Sequence, residues 1–545
     1  MFSELKEQVC FFLKNKFYMF VLILAAVLGY GYELVYSTPG VDDVCIEMYF
    51  GGSLGLAIGR WPFYLINRIF HVADYSPIFL DLLAVVIMML ASVLWCALIR
   101  YILKKEITIW AYAVFAAMFL DYSLIAEIFI FTLQNGVPII YCLIACALFY
   151  MYYILTHTVE KIEWVKSVAL ISFMVSVAIG FYESAAALFL FGAFFVWMAD
   201  MFGENKLQAT DIKSAIKVLF LTARILVYAI VERSIINRVC MFIFNVEPYG
   251  YRSISDSLWV FEHPGKMINI ILELIRDYVA VADVFYPIKV FLIAVILFLI
   301  IIAVATIRKK RYMILVAGLG MFVSMFVISI FQGEGIPYRA AQVLNIFVAG
   351  TLLFVVALLF KIGNPMRIVG LILVISLVYN SAFDLNKWFR LDYEKNQVEW
   401  DVVKQIIIDL EAIDYEPYGA VGKPVVFIGE YQFNDRIIDQ YSIQTGQKGY
   451  QIVRKINDYL EVPPYYRYSY VGTLSNSLLN WGMIGMSQYE SYNSMMYWIF
   501  REMNYNITTG TNEMYEEAQQ YLYEMPDFPE DGYMQEFEEY VLVKF

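Results

Sequence analysis

The sequence is poor in charge, in histidine and, after its first half, in cysteine. Only 17% of its 545 residues are charged while 61% are hydrophobic, whereas soluble proteins are roughly 45–50% apolar. This composition excludes an ordinary soluble protein and indicates a polytopic membrane protein. The three histidines, His71, His157 and His263, are scattered and suggest no metal site. No cysteine follows Cys240, so neither a disulfide framework nor a zinc site can hold the C-terminal region together.

Basic residues are scarce in the C-terminal part. From Asp384 to the end, 12 Lys and Arg stand against 26 Asp and Glu, which gives this part a net charge of −14 and leaves +2 for the rest of the total of −12. A nucleic-acid partner would require a basic patch or stripe, and nothing in either part is basic enough for one. We therefore expect a nearly neutral transmembrane domain, 1–383, followed by an acidic soluble domain, 384–545.

Eleven apolar segments approach the ~20 residues that a helix needs to cross a bilayer. They are 17–36, 78–99, 107–126, 137–155, 165–181, 185–199, 218–231, 285–307, 312–331, 340–360 and 367–383. The weakest is 218–231, because Arg224 interrupts it. The sequence thus predicts a polytopic α-helical membrane protein with about eleven crossings.

Lys and Arg are absent from the short connections 127–136 and 182–184, whereas the alternate connections carry them. The basic residues on that other side include Lys14, Lys104, Lys161, Lys213 and the run 308–311. Cytoplasmic loops have an excess of Lys and Arg. The N-terminus is therefore expected in the cytoplasm, and the first loop, the turn at 182–184 and the C-terminal domain outside it.

The C-terminal part has the pattern of a small α/β domain. Apolar residues at helical spacing predict a helix from Glu394 to Ile413, and a second helix is expected over 512–523. Short buried-strand patterns occur at 423–430 and, closing the chain, at 539–545.

Asp42 and Asp43 form a carboxylate pair just beyond the first apolar segment, and their loop continues to Arg60 and Trp61. Ionisable groups close to hydrocarbon are costly and often functional. In a wet loop the same pair could be a solvated helix N-cap. Other unusual polar residues on the same outer face favour the functional interpretation.

Tyr182 and Glu183 lie in a very tight turn within apolar sequence, where a carboxylate must find a partner or water. Glu183 could also cap the helix that follows. Arg339 begins an apolar segment, and its planar side chain suits bidentate phosphate contact, although snorkelling to lipid headgroups would also explain a cation there. Further polar candidates on this face are Glu127, Gln134, Glu334, Tyr338, Gln342 and, in the loop 232–284, Arg233.

Several short motifs together resemble a known family. They are the Asp-Asp loop leading to Gly59-Arg-Trp61, the turn Phe181-Tyr-Glu-Ser184, the segment Pro337-Tyr-Arg-Ala340 and the closing strand Val541-Leu-Val-Lys544, combined with an N-in first span. In these features the sequence resembles the Gtr-type membrane glucosyltransferases that modify O-antigen and related surface glycans.

The resemblance implies a GT-C-like fold in the bacterial cell membrane, a sugar donor, glucose, carried on a polyprenyl phosphate, and a surface glycan as acceptor. It also implies an inverting transfer with a carboxylate of the first external loop as general base, here Asp43 or Asp42, with Glu183 as the next candidate. The departing phosphate needs positive charge nearby. The donor-binding candidates are Arg339, Arg60, Trp61, Tyr182, Tyr338 and Gln342. The Asp pair could instead bind a divalent metal ion, and no other cofactor is implied.

Two other functions stay open. A flippase or transporter of lipid-linked sugars would carry charged residues near mid-span or on both faces, whereas here they gather at one face. A surface-glycan polymerase or ligase would have a large external loop with several arginines. The 232–284 loop contains Arg233, Arg238, Arg252 and Arg276.

Overall fold

The computed structural model describes residues 2–36, 38, 40, 54–71, 77–103, 107–122, 125–130, 136–203, 207, 212–247, 259–269, 288–309, 311–332, 340–415, 422–431, 477–483 and 492–545. Helices dominate the part up to residue 415. They are α1 (Phe2–Lys14), α2 (Lys16–Tyr30), α3 (Leu54–Ala57), α4 (Trp61–Phe70), α5 (Pro77–Leu103), α6 (Ile109–Asp121), α7 (Ala126–Ile130), α8 (Val137–Thr156), α9 (Lys161–Phe181), α10 (Ala185–Phe202), α11 (Ile212–Phe244), α12 (Trp259–Glu262), α13 (Ile288–Lys309), α14 (Met313–Ser324), α15 (Val327–Gln332), α16 (Val343–Leu359) and α17 (Asn364–Ala412), with a 3-10 turn at Pro264–Lys266.

Helix α6 lies at the centre of the membrane part. Every residue from Ala111 to Asp121 is buried, and the helix contacts α2, α5, α16 and α17. A helix that is apolar on all sides is stable only when other helices or lipid surround it. The neighbours of α6 supply that environment, and α2, α5 and α17 expose outer faces of their own.

Among the described residues, six helices are long and apolar enough to cross a membrane, namely α5, α8, α9, α10, α13 and α17. Helices α1 and α2 meet at a bend of 76° and would make a seventh crossing if they are counted as one. Helices α6, α14 and α16 are apolar but shorter. Each of the eleven predicted segments overlaps one of these helices or α11, and the total of eleven crossings stays a prediction.

Helix α17 is 49 residues long, which at 1.5 Å per residue is about 73 Å. That length is more than twice the ~30 Å hydrocarbon thickness of a bilayer. The predicted crossing 367–383 and the predicted helix from Glu394 to Ile413 are therefore parts of one continuous helix. The division of the chain at residue 384 falls inside α17 and stays a prediction.

The C-terminal part combines a small sheet with short helices. Its elements are β1 (Val425–Ile428), α18 (Leu478–Gly482), α19 (Met496–Glu502), α20 (Asn512–Ala518), a 3-10 helix (Gln519–Tyr523), β2 (Met534–Glu536) and β3 (Val541–Lys544). The sheet order is β1-β3-β2. Strand β3 pairs in parallel with β1, with Val541 opposite Val425, and antiparallel with β2. The two predicted strands are confirmed as β1 and β3.

Both faces of the sheet are covered. On one face, apolar side chains of β1 and β3 pack against α17, including Val402, Ile406 and Leu410. On the other face, Val426 and Leu542 pack near Ala518. Successive residues of a strand point to opposite faces, so the uninterrupted apolar runs of β1 and β3 suit a sheet that is buried on both sides.

Candidate active site

The connection between α9 and α10 is a turn of three residues, 182–184. The Tyr182 backbone N–H donates to the carbonyl of Ala178 and ends α9, and the Ala185 N–H donates to the Tyr182 carbonyl, each at 3.1 Å. Backbone hydrogen bonds thus hold the turn closed, and none of them uses the side chain of Glu183. The Glu183 carboxylate is free to contact another element.

That element is α11, which packs along α9. Arg233 Nη2 donates a hydrogen bond to Glu183 Oε1 at 2.7 Å. The side chain of Glu183 is 46% exposed and that of Arg233 is 22% exposed. Ion pairs that reach water contribute little to stability, roughly 0–1 kcal/mol. The main effect of this pair is therefore to hold the Arg233 guanidinium beside the turn.

A second guanidinium lies against the same turn. The Arg60 Cζ atom is 4.7 Å from the centroid of the Tyr182 ring, a cation–π distance. The preceding residue, Gly59, has φ +92°, and a Cβ atom there would lie 2.6 Å from Arg233 Nη2. Only glycine tolerates both the left-handed backbone and the close approach of this arginine. The turn from α3 to α4 is thus built to bring Arg60 and Arg233 to neighbouring positions.

Trp61 and Phe63 anchor the start of α4 to the end of α9. Trp61 is buried, and a Cβ atom on Gly180 would lie 2.8 Å from Trp61 Nε1. The rings of Phe63 and Phe181 meet edge to face with centroids 5.1 Å apart. Gly180 therefore allows the indole to lie directly against the helix, and this contact fixes Arg60, the preceding residue.

Four buried donor atoms around the turn have no hydrogen-bond partner among the described residues. They are Arg60 Nε, Arg233 Nε, Trp61 Nε1 and the hydroxyl Oγ of Ser184. A buried polar group without a partner costs about 1–3 kcal/mol, and most such groups in native proteins are paired. Unpaired donors gathered at one place are the arrangement expected where an anionic or hydroxyl-rich ligand binds.

Gln342, another predicted site residue, lies at the start of α16. It is buried, and its backbone carbonyl accepts a hydrogen bond from the Tyr141 hydroxyl at 2.9 Å. Tyr141 is just over one turn along α8 from Gly136, which packs against Phe63 and Phe181. Helix α8 therefore links Gln342 to the turn.

Several predicted site residues are not part of this geometry. Asp42, Asp43, Gln134, Glu334, Tyr338 and Arg339 lie outside the described residues, and for Glu127 only its place on α7 is described. Their roles stay predictions. Within the described ranges, no three His, Cys, Asp or Glu side chains lie close enough together to hold a metal ion.

A family model described as glucosyl transferase GtrII matches residues 31–358, which is more than half of the chain. The chain belongs to the GtrII glucosyl transferase family. It is therefore a glycosyltransferase, as the motifs predicted. The comparisons with curated proteins and with solved structures gave no match.

The family match includes the turn at 182–184 and both arginines of this glucosyltransferase, but it ends before α17. Beyond it lies a buried group that the sequence interpretation missed, formed by Asp392, Lys395 and Glu399. These residues recur at i, i+3 and i+7, so they share one face of a helix. Charged residues on one face at the start of the predicted helix from Glu394 could have drawn attention to them.

Proposed function

We propose that this glucosyltransferase transfers glucose from a polyprenyl-phosphate donor to a surface glycan at the extracytoplasmic face of the bacterial cell membrane. The observation that carries the proposal is the convergence of Arg60 and Arg233 on the turn at 182–184, with donor atoms of both guanidiniums left unpaired. The leaving group of such a transfer is a lipid phosphate that gains negative charge as the anomeric bond breaks.

Two guanidiniums suit that leaving group. Arg presents a rigid planar fork of donors that matches phosphate oxygens and keeps its charge at all physiological pH values. Donors that are already in place where charge develops stabilise the transition state without reorganisation. In this proposal Glu183 holds Arg233 through their hydrogen bond. Arg339, Tyr338 and Gln342 are proposed to complete the donor site from the segment that precedes α16.

The proposed general base is Asp43 or, failing that, Asp42. The carboxylate takes the proton of an acceptor hydroxyl as the hydroxyl oxygen attacks the anomeric carbon from the side opposite the phosphate. The new glycosidic bond forms, the bond from the anomeric carbon to the phosphate oxygen breaks, and polyprenyl phosphate leaves with both bonding electrons. The configuration at the anomeric carbon is thereby inverted. A divalent cation bound by the Asp pair is the alternative role for these two residues.

Purified protein tests the proposal directly. It is incubated with acceptor glycan and with polyprenyl phosphates that each carry one labelled sugar, one donor at a time. We expect label to move from the glucosyl donor to the glycan as single added residues. Joining of whole glycan units would indicate a polymerase or ligase. Movement of the donor across vesicle membranes without transfer would indicate a flippase, and both results contradict the proposal.

A further inference from the structure

The end of α2 and the chain that follows it lie along the external half of α17 up to the first loop. Four contacts follow one another in order. Asn386 Nδ2 donates a hydrogen bond to the Leu28 carbonyl at 3.3 Å, and the ring centroids of Tyr30 and Phe389 are 5.9 Å apart. The ring centroids of Tyr32 and Tyr36 lie 6.1 and 5.1 Å from that of Tyr393. These contacts hold the end of the first span against α17 on its way out of the membrane.

The last contact before the loop is a buried polar link. Thr38 Oγ1 donates to Asp392 Oδ2 at 2.9 Å, and Lys395 Nζ donates to Asp392 Oδ1 at 2.9 Å. All three side chains are buried. The two oxygens of one carboxylate thus join the chain of the first loop to a cation of α17. Charge-assisted hydrogen bonds of this kind are short and directional.

A buried ion pair is a weak source of net stability, because removing both charges from water costs as much as their attraction returns. Its best-attested use is to fix one geometry among several. Here the geometry concerns Thr38, which precedes Asp42 by four residues.

The same helix continues into the core of the C-terminal sheet. Just over one turn beyond Lys395, the Glu399 carboxylate faces Ser477 and Leu478 at the start of α18. Further along the helix, Val402, Val403 and Ile406 pack against the sheet. The stretch of α17 from Asn386 to Leu410 contacts the end of α2 at one side and the sheet at the other, so it is a stiff connection. It therefore ties the start of the first loop to the C-terminal domain.

We propose that Asp392, supported by Lys395, is a positioning residue of the transfer reaction: it holds Thr38 and so fixes the start of the loop that carries Asp42 and Asp43. This inference rests on the proposed function, in which that loop supplies the base. It assigns a role to α17, which lies beyond the matched family region.

The test uses Thr38→Val, which removes the hydroxyl at nearly constant shape, and Thr38→Ser, which retains it. Asp392→Asn removes the charge. Asp401→Asn is the matched control, because Asp401 pairs with Lys404 at the same i,i+3 spacing on the same helix but is exposed to water. The full-length proteins are compared in turnover, donor KM, melting temperature and hydrogen exchange of the peptides that cover 41–53.

We expect Thr38→Val and Asp392→Asn to lower turnover roughly 10- to 100-fold, the effect of misplacing a catalytic group by about 1 Å, with donor KM unchanged. Exchange over 41–53 should become faster, while Thr38→Ser and Asp401→Asn should resemble the wild type. The inference is overturned if Thr38→Val exchanges and turns over like the wild type, or if turnover falls only in proportion to lost folded protein. A wild type that transfers no glucose contradicts the proposed function instead, and the exchange result still reports on the link.

Discussion

The cluster at the turn 182–184 and the cluster on α17 both contain charged side chains but use them differently. Around the turn, Arg60 and Arg233 keep donor atoms without partners among the described residues, and Glu183 is half exposed to water. On α17, the Asp392 carboxylate is occupied by Thr38 and Lys395 and is closed off from water. The first cluster lies inside the family match and the second beyond it.

In our proposals the first cluster is a binding site and the second is a support. Charged groups that are to meet a ligand must retain unused hydrogen-bonding capacity, and this makes the empty site locally costly. Charged groups that hold a geometry use that capacity within the protein. The first loop joins the two clusters in the sequence, because it starts beside Thr38 and ends at Arg60.

The largest effect is expected in the loop between the clusters. Asp43→Asn keeps shape and capping ability but removes the proposed base, so turnover should fall about 10²–10⁴-fold. Loss of a helix cap would cost only ~1 kcal/mol of stability. Turnover and melting temperature are measured for Asp43→Asn and, because Asp42 is the alternative base, for Asp42→Asn. Normal turnover in both variants would move the base to Glu183 or Glu127.

The next effect concerns the cluster at the turn 182–184. Arg233→Ala removes a charged donor from the proposed phosphate site and should lower kcat/KM roughly 10- to 100-fold, since hydrogen bonds to charged groups contribute about 1.5–3 kcal/mol. Arg224→Ala is the control, because Arg224 is on the same helix but contacts Trp164 and Tyr228. Equal kinetic losses in the two variants would mean that charge on α11 matters only for folding.

The stability contributed by the cluster on α17 should depend on pH through Glu399. Burial raises the pKa of Glu399 from its ordinary value of 4.5 to about 7, against the opposing effects of Lys395 and of Ser477 and Leu478. Between these two values the folded protein binds the proton and the unfolded chain does not. The free energy of unfolding should therefore fall as pH rises from about 4.5 to 7, by about 3 kcal/mol at most, and level off above that range.

Glu399→Gln removes this proton exchange. Melting temperatures of the full-length protein at pH 5, 6, 7 and 8 should decline more steeply for the wild type than for Glu399→Gln. Parallel curves would show that the Glu399 carboxyl group has an ordinary pKa and that water reaches it.

The smallest effect is expected where α4 packs on α9. Gly180→Ala places a methyl group within 2.8 Å of Trp61 Nε1, and overpacking of this kind costs about 1–3 kcal/mol. Gly265→Ala is the control, because a Cβ atom there meets nothing within 4 Å. Thermal unfolding should show a lower melting temperature for Gly180→Ala alone. Equal values would mean that the indole moves aside at no cost.

The sequence named Arg60 and Tyr182 as candidates, and these two side chains are in contact, while their roles stay predictions. It also predicted the helices of the membrane part and the strands β1 and β3. It could do so because apolar periodicity and basic-loop asymmetry are local signals. The Arg233–Glu183 pair joins residues that are 50 positions apart, and no local signal specifies such a partner.

The same limit applies more strongly to Thr38 and Asp392, which are 354 positions apart. The continuity of α17 was missed because hydropathy changes near residue 384 while helical spacing continues. Strand β2 was missed because it has three residues, Met534–Glu536, and two of them are exposed polar side chains.

The central claim is that the unpaired donors of Arg60 and Arg233 bind the phosphate of the donor. Equilibrium binding of sugar-free polyprenyl phosphate tests it without any need for catalysis, using purified wild type, the Arg60→Ala/Arg233→Ala double variant and Arg224→Ala in lipid nanodiscs. We expect binding to be at least roughly tenfold weaker in the double variant and unchanged in Arg224→Ala. Loss of hydrogen bonds to a charged group should weaken binding by more than about twofold. Binding by the double variant within about twofold of the wild type would therefore contradict the proposed phosphate site.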